Sequence, residues 1–394
     1  MSAHAPEQSN IPFWRDERYL NILAQILVFA IVAGILYSLW YNMNRSLEAL
    51  GLPLSLKFLK ITASFDIGEK LISYSREDTY LRAYLVGVLN TIQVSVLGIF
   101  FATIVGIIIG VSRLSGNWLI SRLAGAYVEL FRNIPLLVFL IFWYQGLFLK
   151  FPDVRDALRL GDFYFSKRGI AFPWGIPTET FQSYLYILGF GLIVAIVVGI
   201  VLHRQGVKTG RMPLIGLWSP LTWIVIGIIG WFILPQAPLT PTIPELPEKG
   251  FNIIGGRVFS PEFMALLSGL VLYTAAFIGE VVRAGIQAVS KGQTEAARAL
   301  GLNGFQTLRL IVFPQALRVI VPPLTSQYLN LTKNSSLAIA IGYPDIVHVY
   351  GTIINQSGRA VEMTAIMMAT YLTFSLLTSA FMNWYNKRIR LVER

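Results

Sequence analysis

Few residues in this chain could carry covalent or metal chemistry. Its 394 residues include no Cys and only three His (His4, His203 and His348), which stand far apart. That leaves no thiolate, no histidine metal cluster and no evident Ser–His pair. A phosphate-cradling G-x-x-x-x-G-K-[ST] loop is missing as well: Gly206-Val207-Lys208-Thr209 lacks the Gly before Lys and reads as a basic loop. The expectation is a non-catalytic chain with no catalytic residue, metal ligand or cofactor of its own.

The polar residues that remain sit inside apolar text, where each needs a protein, water or ligand partner. Asn90, Thr91, Gln93 and Ser95 form one set, and Asn90 and Gln93, three apart, share a helix face. A second set runs through Ser326, Gln327, Tyr328, Asn330, Thr332, Lys333, Asn334, Ser335 and Ser336, too polar to face lipid. Asn90, Gln93, Tyr328, Lys333, Asn334, Ser335 and Ser336 are therefore candidates for a watery path, with helix–helix hydrogen bonding as the alternative. Glu280, with Arg283 three positions on, reads either as an ion pair bracing a span's inner end or as a further pathway contact. Glu129 and Arg132 repeat that spacing and read the same way.

Holding these residues requires membrane helices. The chain is 55% apolar and 13% charged, about half the ~25% charged content of soluble proteins. Several apolar runs exceed the ~20 residues that cross a bilayer. Eight spans read out, at about 20–41, 84–111, 128–149, 184–202, 214–235, 263–283, 319–341 and 362–384. The first is too long for a signal-peptide core and lacks a small-residue cleavage site, so it reads as a retained anchor. Gly106 and Gly110 allow close helix packing, and Trp218, Trp223 and Trp231 mark interfaces or lipid contact. The fold class is an all-α polytopic membrane protein.

Orientation follows from basic residues near span ends. Arg113, Arg122, Arg204, Lys208, Arg211, Lys387, Arg388, Arg390 and Arg394 fall on one side if both termini are inside. The net charge of +11 then reflects orientation rather than nucleic-acid binding. On the outer side, LPLSLKFLKITASF in 42–83 is expected on the membrane surface, and the Pro-rich 236–262 as an extended loop. The inner connection 284–318 differs, having helical composition and several charges. Lys291 to Leu300 favours helix, Gly301 suits a left-handed C-cap, and a second helical stretch from Gly304 is expected to stop at Pro314. Ala296, Ala297 and Ala299 would let a partner approach this elbow closely, with Glu295 and Arg298 supplying charge.

Glu295-Ala296-Ala297, Gly301 and Ile311-Val312-Phe313-Pro314 together resemble the E-A-A-x3-G-x9-I-x-L-P loop of ABC-importer permeases, with Phe313 in place of Leu. Tyr127, Glu129, Phe131, Arg132 and Pro135 resemble the polar-amino-acid branch of that family, as do Gly279-Glu280 with Arg283 and Gly285, and Lys333-Asn334-Ser335-Ser336-Leu337. The resemblance covers about 80–149 and 263–390. It implies a five-helix type I importer core (spans two, three, six, seven and eight), to which a first helix and a two-helix insertion are added. That arrangement is similar to the longer permease subunit of general L-amino-acid importers.

The resulting division is 1–79 (tail, first helix and external segment), 80–149 (first permease-core segment), 150–262 (insertion) and 263–394 (second permease-core segment, with the elbow). The resemblance further implies a bacterial inner-membrane protein that docks an ATPase through Glu295, Ala296, Ala297, Arg298, Gly301 and Pro314. Partners would be a second related permease, two ATPase copies using Mg-ATP, an external amino-acid-binding protein and membrane lipid. Two alternatives remain. A self-contained ion-coupled secondary transporter should show midplane carboxylates or an internal repeat, neither of which is evident. A non-transporting scaffold would not explain the elbow spacing.

Overall fold

The computed structural model describes residues 17–51, 53–210, 214–246 and 252–389. Arg211, Arg390, Arg394, His4 and most of the amino-terminal tail lie outside the described residues. Among the described residues, seven helices are long and apolar enough to cross a membrane, or eight if one bent pair forms a single span. Three stand apart from the rest. Helix α1 (Glu17–Ala49) has no buried residue in its apolar window. Helices α5 (Phe181–Thr209) and α6 (Ile215–Ile233) pack mainly on each other. Small residues form their seam: a Cβ on Gly230 would stand 2.5 Å from Ile187, and one on Gly191 2.9 Å from Ile226. Trp223 closes it by donating to the Leu188 carbonyl at 3.0 Å.

The core is built around α7 (Pro261–Gln287), which packs on α2 (Tyr80–Ser112), α3 (Trp118–Asn133), α4 (Leu136–Ile141) and α10 (Phe313–Asn334). Helix α12 (Ala360–Ile389) lies against α10. Gly106 and Gly110 form the α2–α7 seam, where a Cβ on Gly110 would meet the Gly279 carbonyl at 2.6 Å. Gly110→Val is therefore expected to lower the melting temperature and yield of the purified protein, at an overpacking cost of ~1–3 kcal/mol. Gly189→Ala, where an added Cβ meets nothing within 4 Å, is the control and should change neither.

Two spans differ from the sequence expectation. The span expected at 128–149 is broken: α3 ends at Asn133, and the helical stretch Leu136–Lys150 turns away by 104°. Ile134 is extended (φ −105°, ψ 132°), as a residue before proline prefers, and Pro135 has no amide to continue the ladder. The stretch from Gly304 does not stop at Pro314 either. It passes through a widened π turn at Leu308–Val312 into α10, placing Pro314 in a first turn where its missing N–H costs little. Helix α10 also runs through Pro322 and Pro323 and ends at Asn334, and a tighter 3-10 turn carries the chain to Ile341.

The segments expected outside the membrane hold more structure than hydropathy suggests. Segment 53–79 packs onto the helical core through part of its apolar set, while Leu56 and Ile61 stay exposed. Phe58, Ala63, Ile67 and Tyr74 are buried with Tyr80 and Tyr84 of α2, Ile346, Val349 and Ile353 of α11 (Ile346–Ser357), and Met363 of α12. The insertion forms two small sheets. In the first, β1 (Leu158–Leu160), β2 (Phe163–Ser166), β3 (Gly169–Phe172) and β6 (Arg257–Phe259) run in the order β1-β2-β3-β6. In the second, β4 (Trp174–Pro177) pairs with β5 (Leu239–Thr242), so some of the Pro-rich segment is strand. These strands span three or four residues and leave no periodic signal.

Two acids here, Asp345 fully buried and Glu69 half-buried, tie stability to pH. Glu69 accepts a hydrogen bond from the Ser260 hydroxyl at the N-cap of α7, yet burial pushes its carboxyl up to about 7. Burial likewise pushes Asp345, the N-cap of α11, up to about 7. The folded protein thus holds protons that the unfolded chain releases near pH 4–4.5, and its stability should fall as pH rises from there through about 7. Glu69→Gln is expected to remove some of that slope, on the order of 2 kcal/mol, read as a smaller loss of melting temperature between pH 5 and pH 8. Equal losses in both proteins would count against the assignment.

Candidate transport site and inner elbow

The elbow is built from two capped helices. Helix α8 (Lys291–Ala299) ends in a Schellman turn, in which the Gly301 amide donates to the Arg298 carbonyl at 2.9 Å and the Leu302 amide to the Ala297 carbonyl at 3.1 Å. Gly301 sits at φ +79°, the left-handed region that favours glycine. Helix α9 (Gly304–Thr307) begins with a capping box, Asn303 and Gln306 each bonding the other's amide at 2.9 and 3.0 Å. The Gln315 side chain donates to Gln293 at 3.3 Å, linking α8 to the start of α10.

Glu295, Ala296, Arg298, Gly301 and Pro314 are exposed or half-buried. Ala297 departs from expectation: it is 2% exposed and turned into the chain, so it does not stand on the open face. Sequence reasoning missed Leu300, 80% exposed, and Phe305, 69% exposed, which flank the Gly301 turn. Two large apolar side chains beside a turn in an otherwise polar inner connection were the available signal.

Other candidates separate into anchored and unpartnered groups. Asn90 is fully buried, and its amide donates to the carbonyls of Glu69 (2.8 Å) and Pro344 (2.9 Å), clamping the segments before α2 and before α11 onto α2. Ser335, also fully buried, donates to the Thr332 carbonyl at 2.7 Å, and half-buried Ser336 to that of Lys333 at 2.7 Å. The Tyr328 hydroxyl and Thr103 Oγ1 lie 2.9 Å apart, joining α10 to α2. Gln93 Oε1 is buried without a partner among the described residues, as are Ser95 Oγ and the Oδ1 of the otherwise anchored Asn90. Asn334 is half-buried and Lys333 exposed, and neither side chain has a hydrogen bond or ion pair among them. These candidates do not converge on one cavity of this chain.

Toward the C-terminal ends of α2 and α7, Glu280 pairs with both Arg113 and Arg283, the latter donating through Nε at 3.0 Å. Arg113 was not anticipated, because its partner is 167 residues away in sequence. The pair expected between Glu129 and Arg132 is not formed. Arg132 turns toward α7 and lies over the Phe277 ring, 5.3 Å from its centroid, and Glu129 remains exposed.

Seven or eight membrane-length helices among the described residues, with a rigidly capped elbow joining α7 to α10, make this a polytopic helical membrane protein. Residues 191–391 match the family model described as "Binding-protein-dependent transport system inner membrane component". The chain is similar to the general L-amino acid transport system permease protein AapQ of Rhizobium johnstonii, 47% identical over 96% of this chain and 94% of that one. It is also similar to YhdX of Escherichia coli, a putative amino-acid ABC transporter permease (45%, 94% of each). A third relative is the glutamate/glutamine/aspartate/asparagine transport system permease protein BztB of Rhodobacter capsulatus (41%, 96% of each). The chain belongs to this family, as a multi-pass inner-membrane permease subunit of an ABC importer. A substrate-binding protein and an ATPase are the partners such membership implies.

Proposed function

We propose that this chain forms one half of the translocation path of an ATP-driven importer for polar L-amino acids. The substrate class is carried over from the names of its relatives. The observation that carries the mechanism is the elbow, a rigid turn at Gly301 with Leu300 and Phe305 presented outward. On this reading Leu300, Phe305, Glu295, Ala296, Arg298 and Gly301 seat in a cleft of the ATPase, and Pro314 lets the motion pass straight into α10. Two ATPase copies carry Mg-ATP, a second related permease supplies the other half, and an external binding protein delivers substrate. Both termini face the cytoplasm, consistent with the basic residues at the inner span ends.

Lys333, Asn334 and Gln93 are the groups of this chain that we assign to the path. Unpartnered polar groups on a span require a partner across an interface or in water. Asn90 and Ser335 position them from the interior, and Glu280 braces the inner end. The test is uptake by cells or vesicles depleted of ATP while the ion gradient is held. Uptake should stop; uptake that persists would overturn the proposal in favour of an ion-coupled secondary transporter.

A further inference from the structure

Beside the elbow, the inner ends of α2, α3 and α7 enclose a cleft of about 650 Å3 lined by residues that include Arg113, Ser121, Arg122, Glu129, Arg283 and Gln287. Its cations are not equivalent. Arg113 and Arg283 are engaged by Glu280, and Arg283 also donates to Gln287 at 2.7 Å. Arg122 is exposed and has no hydrogen bond or ion pair among the described residues. The surrounding backbone is fixed, since Ser121 Oγ donates to the Arg113 carbonyl at 3.0 Å and Asn117 caps α3.

The same end of α3 exposes apolar surface next to this charge: Trp118 (70%), Leu119 (56%) and Leu123 (63%), with Trp118 also lining the cleft. A free guanidinium with an exposed indole and aliphatic side chains at the ends of spans matches the layered chemistry of a membrane surface. Arg122 and Glu129 lie seven residues apart, on one face of α3 and about 10 Å apart along it. A headgroup that bears hydroxyls beyond its phosphate can bridge that distance, the phosphate accepting from Arg122 and a hydroxyl donating to Glu129.

We propose that this cleft binds the headgroup of phosphatidylglycerol from the leaflet on the elbow's side, its acyl chains passing over Leu119 and Leu123. The assembled complex, purified in detergent, would be titrated with phosphatidylglycerol and with phosphatidylcholine, and bound lipid counted by native mass spectrometry. The wild type should prefer phosphatidylglycerol by at least about fivefold. Arg122→Glu and the milder Arg122→Gln should abolish that preference, and Arg122→Lys should keep some of it. Equal binding of both lipids by the wild type would overturn the proposal, as would an unchanged preference in either of the first two variants. Full displacement of the lipid by millimolar glycerol 1-phosphate or inorganic phosphate would make this a site for a soluble anion and also overturn it.

Discussion

Gly301→Arg should abolish ATP-coupled uptake while leaving the membrane helices folded. The turn at Gly301 has φ +79°, and a Cβ added there meets nothing within 4 Å. No clash within the chain is therefore expected. The cost comes from forcing a non-glycine residue into the left-handed region, ~1–2 kcal/mol, and from a long charged side chain projecting between Leu300 and the partner surface. Interface anchors lose ~2 kcal/mol or more on disruption, so coupled uptake should fall at least about thirtyfold. Ala at this position carries the backbone strain without the bulk and should lose less. The readouts are ATP hydrolysis and uptake by the purified, reconstituted complex, with circular dichroism to show that the helices persist. Wild-type uptake by Gly301→Arg would remove the elbow from the mechanism.

Lys333→Met carries the second large effect. Lys333 is an exposed cation in the last turn of α10, with no partner among the described residues. On a lipid-facing helix such a charge costs ~3 kcal/mol, so it should be retained only where a partner, water or substrate meets it. A charge-assisted hydrogen bond to a carboxylate contributes ~1.5–3 kcal/mol. Its removal should lower uptake efficiency about ten- to hundredfold, mainly through KM if the bond forms to bound substrate. Lys333→Arg should restore some of the activity, since it keeps the charge. Loss of complex assembly in Lys333→Met, with no transport defect in what remains, would instead make Lys333 an inter-subunit contact.

The sequence made some features legible and left others hidden, for physical reasons. Helices that cross a bilayer need long apolar runs, so the spans stood out in hydropathy, the broken one as a single run. The elbow was legible because Glu295, Gly301 and Pro314 hold a long fixed spacing, and the structure gives Gly301 its left-handed backbone. Pro135 also broke its span by a local rule, but an apolar run continues on both sides and masks the 104° bend. The role of Asn90 was out of reach, because it depends on the carbonyls of Glu69 and Pro344, 21 and 254 residues away. The Arg113–Glu280 contact was hidden for the same reason. The small sheets of the insertion escaped because strands of three or four residues are stabilised by pairing with one another rather than by any run of their own.

On the proposed function, the elbow is the surface through which this permease meets its ATPase. Because the chain contains no Cys, Phe305→Cys creates its one thiol, at a side chain 69% exposed beside the turn. The measurement is cross-linking of that thiol in the assembled complex with a maleimide photo-cross-linker, compared with Leu160→Cys, a site 71% exposed on the external sheet. A permease–ATPase product is expected from Phe305→Cys alone, with a yield that changes when ATP is added. An ATPase product of equal yield from both positions, or from Leu160→Cys only, would contradict it.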